Sequence, residues 1–152
     1  MTHSDTGPVQ LRSLAEQLAS EAAEFVRKRR LEVFGAGGGG ASAAHAVRSK
    51  STATDPVTVV DTETERLLRG RLAELRPGER ILGEEEGGST GGADGELTWV
   101  LDPIDGTVNF LYGIEAYAVS VGVQRGGTSV AGAVADVAAG AVYSAALGHG
   151  AR

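Results

Sequence analysis

Four acidic residues stand out by where they fall. Asp61, Glu84, Asp102 and Asp105 each sit where a short apolar run gives way to turn-forming residues. Such junctions deliver the backbone rigidly while side chains stay near solvent, so carboxylates distant in sequence can meet in space. Carboxylates gathered in one place repel one another unless a cation lies among them. A hard divalent ion such as Mg²⁺ is the natural partner of an all-oxygen cluster. The densest grouping lies in Trp99–Phe110, WVLDPIDGTVNF. With Pro103 stiffening a turn, Asp102 and Asp105 can point to one side and bridge adjacent ions. Gly106 permits close backbone approach, and Thr107 opens a helical turn whose exposed N–H groups favour a phosphate oxygen. Two carboxylates, a hydroxyl and an anion-binding helix start within six residues suit metal-assisted phosphoryl chemistry.

Each piece also has an ordinary reading. D-P-x-D-G is a common turn, because Asp, Pro and Gly are turn formers. Glu84-Glu85-Glu86 is a solvated charge run when it stands alone, and an aspartate before a helix, such as Asp61, usually belongs to its cap. The spacing of a calcium EF-hand loop is absent. Only the combination favours a cation site.

The elements that must position these residues are readable from periodicity. Residues 1–10 read as a flexible polar lead, followed by a single domain over 11–152. Leu11, Leu14, Ala15, Leu18, Ala22, Phe25 and Val26 recur at helical spacing. That helix is expected to end in the cluster Arg27-Lys28-Arg29-Arg30, a solvated turn suited to the negative end of the helix dipole. GAGGGG at 35–40 satisfies the dinucleotide pattern G-x-G-x-x-G, but a helix rather than a strand precedes it, so a flexible loop is expected. Residues 41–54 read as a mobile surface segment. Pro56–Val60 reads as a short extended run. A second helix follows, with Thr62 and Glu65 as its capping box and Leu67, Leu68, Leu72 and Leu75 as its apolar face. Arg80-Ile-Leu82 reads as a short strand and residues 87–96 as a Gly-rich loop. Thr98–Leu101 reads as a buried strand, and Tyr117–Gln124, Thr128–Asp136 and Gly140–Leu147 as an antiparallel meander. Two early helices and a late meander describe an α+β layered domain of helices on an antiparallel sheet.

Composition excludes several classes. The 152 residues suffice for one domain with a sizeable core. A formal charge of −6 argues against nucleic acid as a partner. There is no cysteine, which removes disulfides, thiolate metal sites and cysteine nucleophiles. No apolar run approaches a membrane span and the polar start MTHSDTGP is no signal peptide, so no membrane partner and a cytoplasmic location are expected.

The order of motifs is similar to that of the inositol monophosphatase family. It comprises Lys50-Ser-Thr-Ala-Thr-Asp55-Pro-Val-Thr-Val-Val-Asp61, Gly83-Glu-Glu85, Asp102-Pro-Ile-Asp105-Gly-Thr107 with Asn109-Phe110, Tyr117–Gly122, and Val142-Tyr143. The resemblance runs from Leu11 onward. It implies the N-terminal half of that family's αβαβα fold and a Mg²⁺-dependent, lithium-sensitive hydrolysis of a phosphate monoester, with inositol monophosphate favoured by Val108-Asn109-Phe110. Relatives with similar motifs act on histidinol phosphate, fructose bisphosphate or phosphoadenosine phosphate. By the same resemblance, Glu84, Asp102 and the Ile104 carbonyl hold one Mg²⁺, and Asp102 bridges to a second held by Asp105. Thr107 and Glu84, with Asp61 behind Thr107, orient a water. Gly106 and Thr107 offer N–H groups to the phosphate, and Lys50 supplies a basic position near the substrate. A homodimer is left open.

The resemblance also implies a C-terminal α/β half whose Trp-Asp motif completes the second metal site. Here Trp99 is followed by Val100, and the one aspartate after Asp105 is Asp136, read as a turn former. The expectation is therefore a truncated member: most metal ligands present, an uncovered apolar sheet face or edge, and little or no turnover. The alternative is a non-catalytic remnant.

Overall fold

A computed structural model describes residues 7–35, 47–49, 56–88 and 95–152. The expectations for residues 1–6, for 36–40 of the glycine run, for most of 41–55 including Lys50, and for 89–94 lie outside the described residues. Helix α1 covers Pro8–Phe34 and strand β1 covers Val47–Ser49; β2 (Pro56–Thr58) leads into α2 (Val59–Leu75). Then come β3 (Arg80–Gly83), β4 (Leu97–Asp105), the short α3 (Thr107–Tyr112), β5 (Ala118–Arg125), β6 (Thr128–Asp136) and β7 (Val142–Ala146).

The C-terminal meander forms as the alternation requires. Strands β4 to β7 pair antiparallel in sequence order, and β3 adds to β4 in parallel, giving a mixed five-stranded sheet. Gly126 and Gly127 close the β5–β6 hairpin at φ values of 55° and 84°. Both central residues of this tight turn need positive φ, which glycine adopts without steric cost. Segment 41–54, read as a surface loop, contains strand β1, which pairs antiparallel with β2.

Both long helices lie on one face of the sheet. Val119, Val121 and Val123 of β5 and Ala131, Ala133 and Ala135 of β6 turn inward to meet Leu11, Ala15, Leu18, Ala22 and Val26 of α1. Facing alanines let helix and sheet approach closely. Val60, Leu68 and Leu72 bring α2 into the same core beside Trp99 and Leu101 of β4. Fully burying each large apolar side chain contributes roughly 1.5–3 kcal/mol, so this layer dominates the stability. The opposite sheet face is less covered: Val134 is 42% exposed and Tyr143 60%. Along its outer edge β7 bonds the chain's last residues, Ser144 and Arg152 exchanging both backbone hydrogen bonds.

Three sequence expectations are corrected. First, α1 does not stop at its basic cluster but runs on to Phe34, which is buried. The arginines are tethers: Arg27 donates to the Val137 carbonyl, Arg29 grips Glu63 with two nitrogens at 2.7 and 2.9 Å, and Arg30 donates to the Phe110 carbonyl. Second, the capping box of α2 is Thr58 with Asp61, one turn earlier than Thr62 with Glu65. Burial of Val60 draws the first helical turn back over what reads as extended chain. Third, Asp102-Pro-Ile-Asp105 is not a turn; it is the end of β4, which stays extended through Asp105.

Candidate active site

That third correction shapes the site. In a regular strand, residues three apart point to opposite faces. Here the β4–β5 register shifts: Asp102 pairs with Ser120 and Asp105 with Ala118, so three steps on β4 answer two on β5. This β-bulge adds one residue and restores parity. Ser120 and Ala118 lie two apart on one face, so Asp102 and Asp105 are delivered to the same side, while Pro103 and Ile104 are buried. The chain breaks from the strand at Gly106, whose φ is 91°. A Cβ there would lie 2.8 Å from the Ala116 carbonyl oxygen, so both conformation and space demand glycine.

Helix α3 then begins at Thr107 and is anchored by Phe110, which is fully buried. The Phe110 ring meets Phe34 and Tyr117 edge-on at centroid distances of 5.6 and 5.2 Å. The Arg30 guanidinium lies 5.6 Å from the Phe110 centroid and donates to the Phe110 carbonyl at 3.0 Å, near the helix's C-terminal end. Burial holds the Tyr117 phenol above its ordinary range, with Arg30 pulling the other way.

Asp61 joins this unit to α2. Its carboxylate is fully buried; Oδ2 accepts the Thr58 backbone N–H at 3.0 Å and the Thr58 hydroxyl, and Oδ1 lies 3.0 Å from the Thr107 hydroxyl. The same hydroxyl lies 3.1 Å from the Ile104 carbonyl oxygen. It carries one proton, and a carboxylate attracts that proton more strongly than a neutral carbonyl does. Asp61 is thus both the N3 residue of the capping box and the acceptor behind Thr107.

Glu84 follows β3 in the turn that Gly83 and Gly87 close with two reciprocal backbone hydrogen bonds, and its amide bonds Leu101 on β4 at 3.2 Å. It lines a cleft of about 210 Å³ together with Asp102, Ile104, Asp105, Gly106 and Thr107. Of the residues singled out in the sequence, six share this cleft, Asp61 stands behind Thr107, and Lys50 lies outside the described residues. Among the described residues, no three His, Asp or Glu side chains converge into a ready metal cage. Carboxylates that repel one another stay apart until a cation compensates them.

Three supporting residues escaped the sequence reading: Thr58, Phe110 as an anchor, and Glu65. Glu65, expected in the capping box, is instead fully buried and accepts the amides of Glu85 and Glu86 at 2.7 Å each. A detectable signal exists. Asp61 and Glu65 stand one helical turn apart on the stripe that also carries Val60, Leu68 and Leu72, where acids are out of place unless they have work to do.

The model of the inositol monophosphatase family matches residues 8–152. The chain belongs to that family. It is 66% identical over 155 residues to the inositol-1-monophosphatase SuhB of Mycobacterium tuberculosis, a match covering all of this chain and 53% of that protein. The solved structure of Mycobacterium tuberculosis SuhB superposes with a TM-score of 0.75 at 58% identity, covering 97% of this chain and 48% of that one. A structure of SaIMPase-II with inositol monophosphate bound gives a TM-score of 0.69 at 31% identity, covering 94% of this chain and 46% of that one. The chain spans about half the length of the curated relatives it matches. Among the described residues of this family member, no helix is long and apolar enough to cross a membrane.

Proposed function

We propose that this chain supplies the cation-binding wall of a Mg²⁺-dependent phosphate monoesterase acting on inositol monophosphate. The observation that carries the reading is the β4 bulge, which sends Asp102 and Asp105 to one side of a cleft that Glu84, Ile104 and Thr107 also line. The donors are three carboxylates and a carbonyl, all hard oxygens, which fits Mg²⁺ and disfavours softer metals. Glu84, Asp102 and the Ile104 carbonyl would hold one ion, and Asp102 and Asp105 a second. An ion held there supplies charge neutralisation at the phosphate and acidification of the attacking water.

The chain's own residues do the rest. Asp61 accepts the hydrogen bond donated by the Thr107 hydroxyl, which leaves the Ile104 carbonyl lone pairs for a cation and the Thr107 oxygen lone pairs free to accept. A water donating to Thr107 and to Glu84 is thereby oriented toward phosphorus. Its oxygen forms the new P–O bond and its proton passes to Glu84; the ester P–O bond breaks, the leaving oxygen takes a proton from solvent to depart as the alcohol, and Glu84 returns its proton to solvent as inorganic phosphate is released. The amides of Gly106 and Thr107 meet the phosphate oxygens, with Lys50 as a further basic contact. The substrate class rests on the family and on the inositol monophosphate named for SaIMPase-II.

A second reading is a non-catalytic family member, since the chain spans about half the length of the curated relatives it matches. Phosphate release from inositol monophosphate with Mg²⁺ separates the two. Turnover that Asp105→Asn abolishes supports the enzyme, and a folded chain that neither turns over substrate nor binds Mg²⁺ at the cleft supports the second reading. Turnover indifferent to Asp105→Asn would refute the assigned site.

A further inference from the structure

The mechanism leaves Glu65 without a task, although it is a buried acid 20 residues from the turn that carries Glu84. Its Oε1 accepts the Glu85 amide and its Oε2 the Glu86 amide, both at 2.7 Å. Arg69 lies on the same carboxylate at 3.2 Å and reaches past it to the Gly87 carbonyl at 2.6 Å. Gly83 and Gly87 bond each other in both directions, and the Glu84 amide bonds Leu101. Every backbone amide from Gly83 to Gly87 therefore has a fixed acceptor, and the concave side of the turn is filled by one carboxylate. What remains outside is the Glu84 side chain, exposed toward the cleft.

Gly83 completes the arrangement. It is a strand residue and is not among the positive-φ glycines, so its own conformation does not call for glycine. Space does. An ideal Cβ at Gly83 would collide with the carboxylate carbon and both carboxylate oxygens of Glu65. The glycine of Gly-Glu-Glu is thus a seat for a side chain arriving from α2.

We propose that Glu65 is a positioning residue that fixes the direction of Glu84 by filling the 83–87 turn, with Gly83 as its required seat. The metal-facing part of this inference rests on the function proposed above. The amides of Glu85 and Glu86 face an anion in a concave backbone, an arrangement that a neutral amide cannot replace. A glutamine at position 65 offers one acceptor and turns its NH₂ donor against the other amide.

The test uses the whole chain with Glu65→Gln and, independently, Gly83→Ala, which displaces the same carboxylate from the strand side. Amide hydrogen exchange is read at Glu85 and Glu86, and Mn²⁺ affinity is read by the paramagnetic resonance of the free ion. Both variants are expected to lose at least tenfold protection at the two amides and to weaken Mn²⁺ about tenfold, the low end for partners of metal ligands. In a Glu84→Gln background, Glu65→Gln is expected to change Mn²⁺ affinity no further, because its effect passes through Glu84. Protection within twofold of the parent in a folded variant overturns the role. So does an equal loss of Mn²⁺ affinity with and without Glu84. If the parent chain binds no Mn²⁺ through Glu84, the metal-facing part fails together with the proposed function, while exchange at Glu85 and Glu86 still decides whether Glu65 holds the turn.

Discussion

Replacing Asp61 with asparagine probes the joint between α2 and α3. The Asp61 carboxylate accepts three hydrogen bonds, from the Thr58 amide, the Thr58 hydroxyl and the Thr107 hydroxyl, and sits in the first turn of α2. Hydrogen bonds to a charged acceptor contribute about 1.5–3 kcal/mol each and neutral ones about 0.5–1.5. Asparagine keeps one acceptor oxygen and loses the charge, giving up about 1 kcal/mol at each of the three contacts. Loss of a negative charge at the helix N-terminus adds roughly 0.3–1 kcal/mol. Asp61→Asn should therefore destabilise the fold by about 3–4 kcal/mol. Thr107→Val, which removes only the hydroxyl, should cost about 1–2 kcal/mol. Because the two side chains share a hydrogen bond, the double variant should be about 1–2 kcal/mol less damaged than the sum. Urea titration followed by the fluorescence of Trp99, the sole tryptophan, measures all four proteins. A coupling below about 0.5 kcal/mol, the ordinary scatter of independent sites, would refute the joint. A stabilised Asp61→Asn would show that the cost of burying the carboxylate exceeds what its contacts return.

Other expectations follow from the same supports. Phe110→Leu forfeits two edge-on ring contacts and the Arg30 cation, and should cost about 2 kcal/mol by the same urea titration. Gly106→Ala must place a Cβ at positive φ against the Ala116 carbonyl, and a loss of at least about 1–3 kcal/mol is expected; a neutral result would contradict the break geometry. The Arg29 hydrogen bond holds the Glu63 carboxyl below its ordinary 4.5 despite partial burial. That contribution is complete above pH 4.5 and is lost as pH falls through 4.5 and then through the lower folded value. Glu63 is partly exposed, so solvent screening keeps it to under about 1 kcal/mol. Arg29→Gln should remove this part of the acid slope, which melting curves between pH 6 and 3 would record.

How much the sequence discloses differs from residue to residue. The acids of the cleft are legible because each stands at the end of an apolar run, and Asp-Pro-Ile-Asp-Gly-Thr is legible because so many turn formers crowd together. The same crowding misleads about geometry. Pro103 suggests a turn, but whether Asp102 and Asp105 share a face is set by the register against Ser120 and Ala118, and no local pattern records that. The cap of α2 is ambiguous for a similar reason. Thr58-Val-Val-Asp61 and Thr62-Glu-Thr-Glu65 both fit the capping pattern, and burial of Val60 decides for the first. The arginines of α1 look solvated because their acceptors are elsewhere: carbonyls of Val137 and Phe110 and the carboxylate of Glu63. Long-range acceptors of this kind are invisible to periodicity.

The proposed function requires that the cleft of Glu84, Asp102, Ile104 and Asp105 take a divalent cation. Paramagnetic broadening of the backbone amide spectrum by substoichiometric Mn²⁺ tests it most directly. Selective broadening of the Glu84 and Asp102–Thr107 amides is expected, reversed by excess Mg²⁺ and lost in Asp105→Asn. Broadening that spares those amides, or that survives Asp105→Asn unchanged, would contradict it.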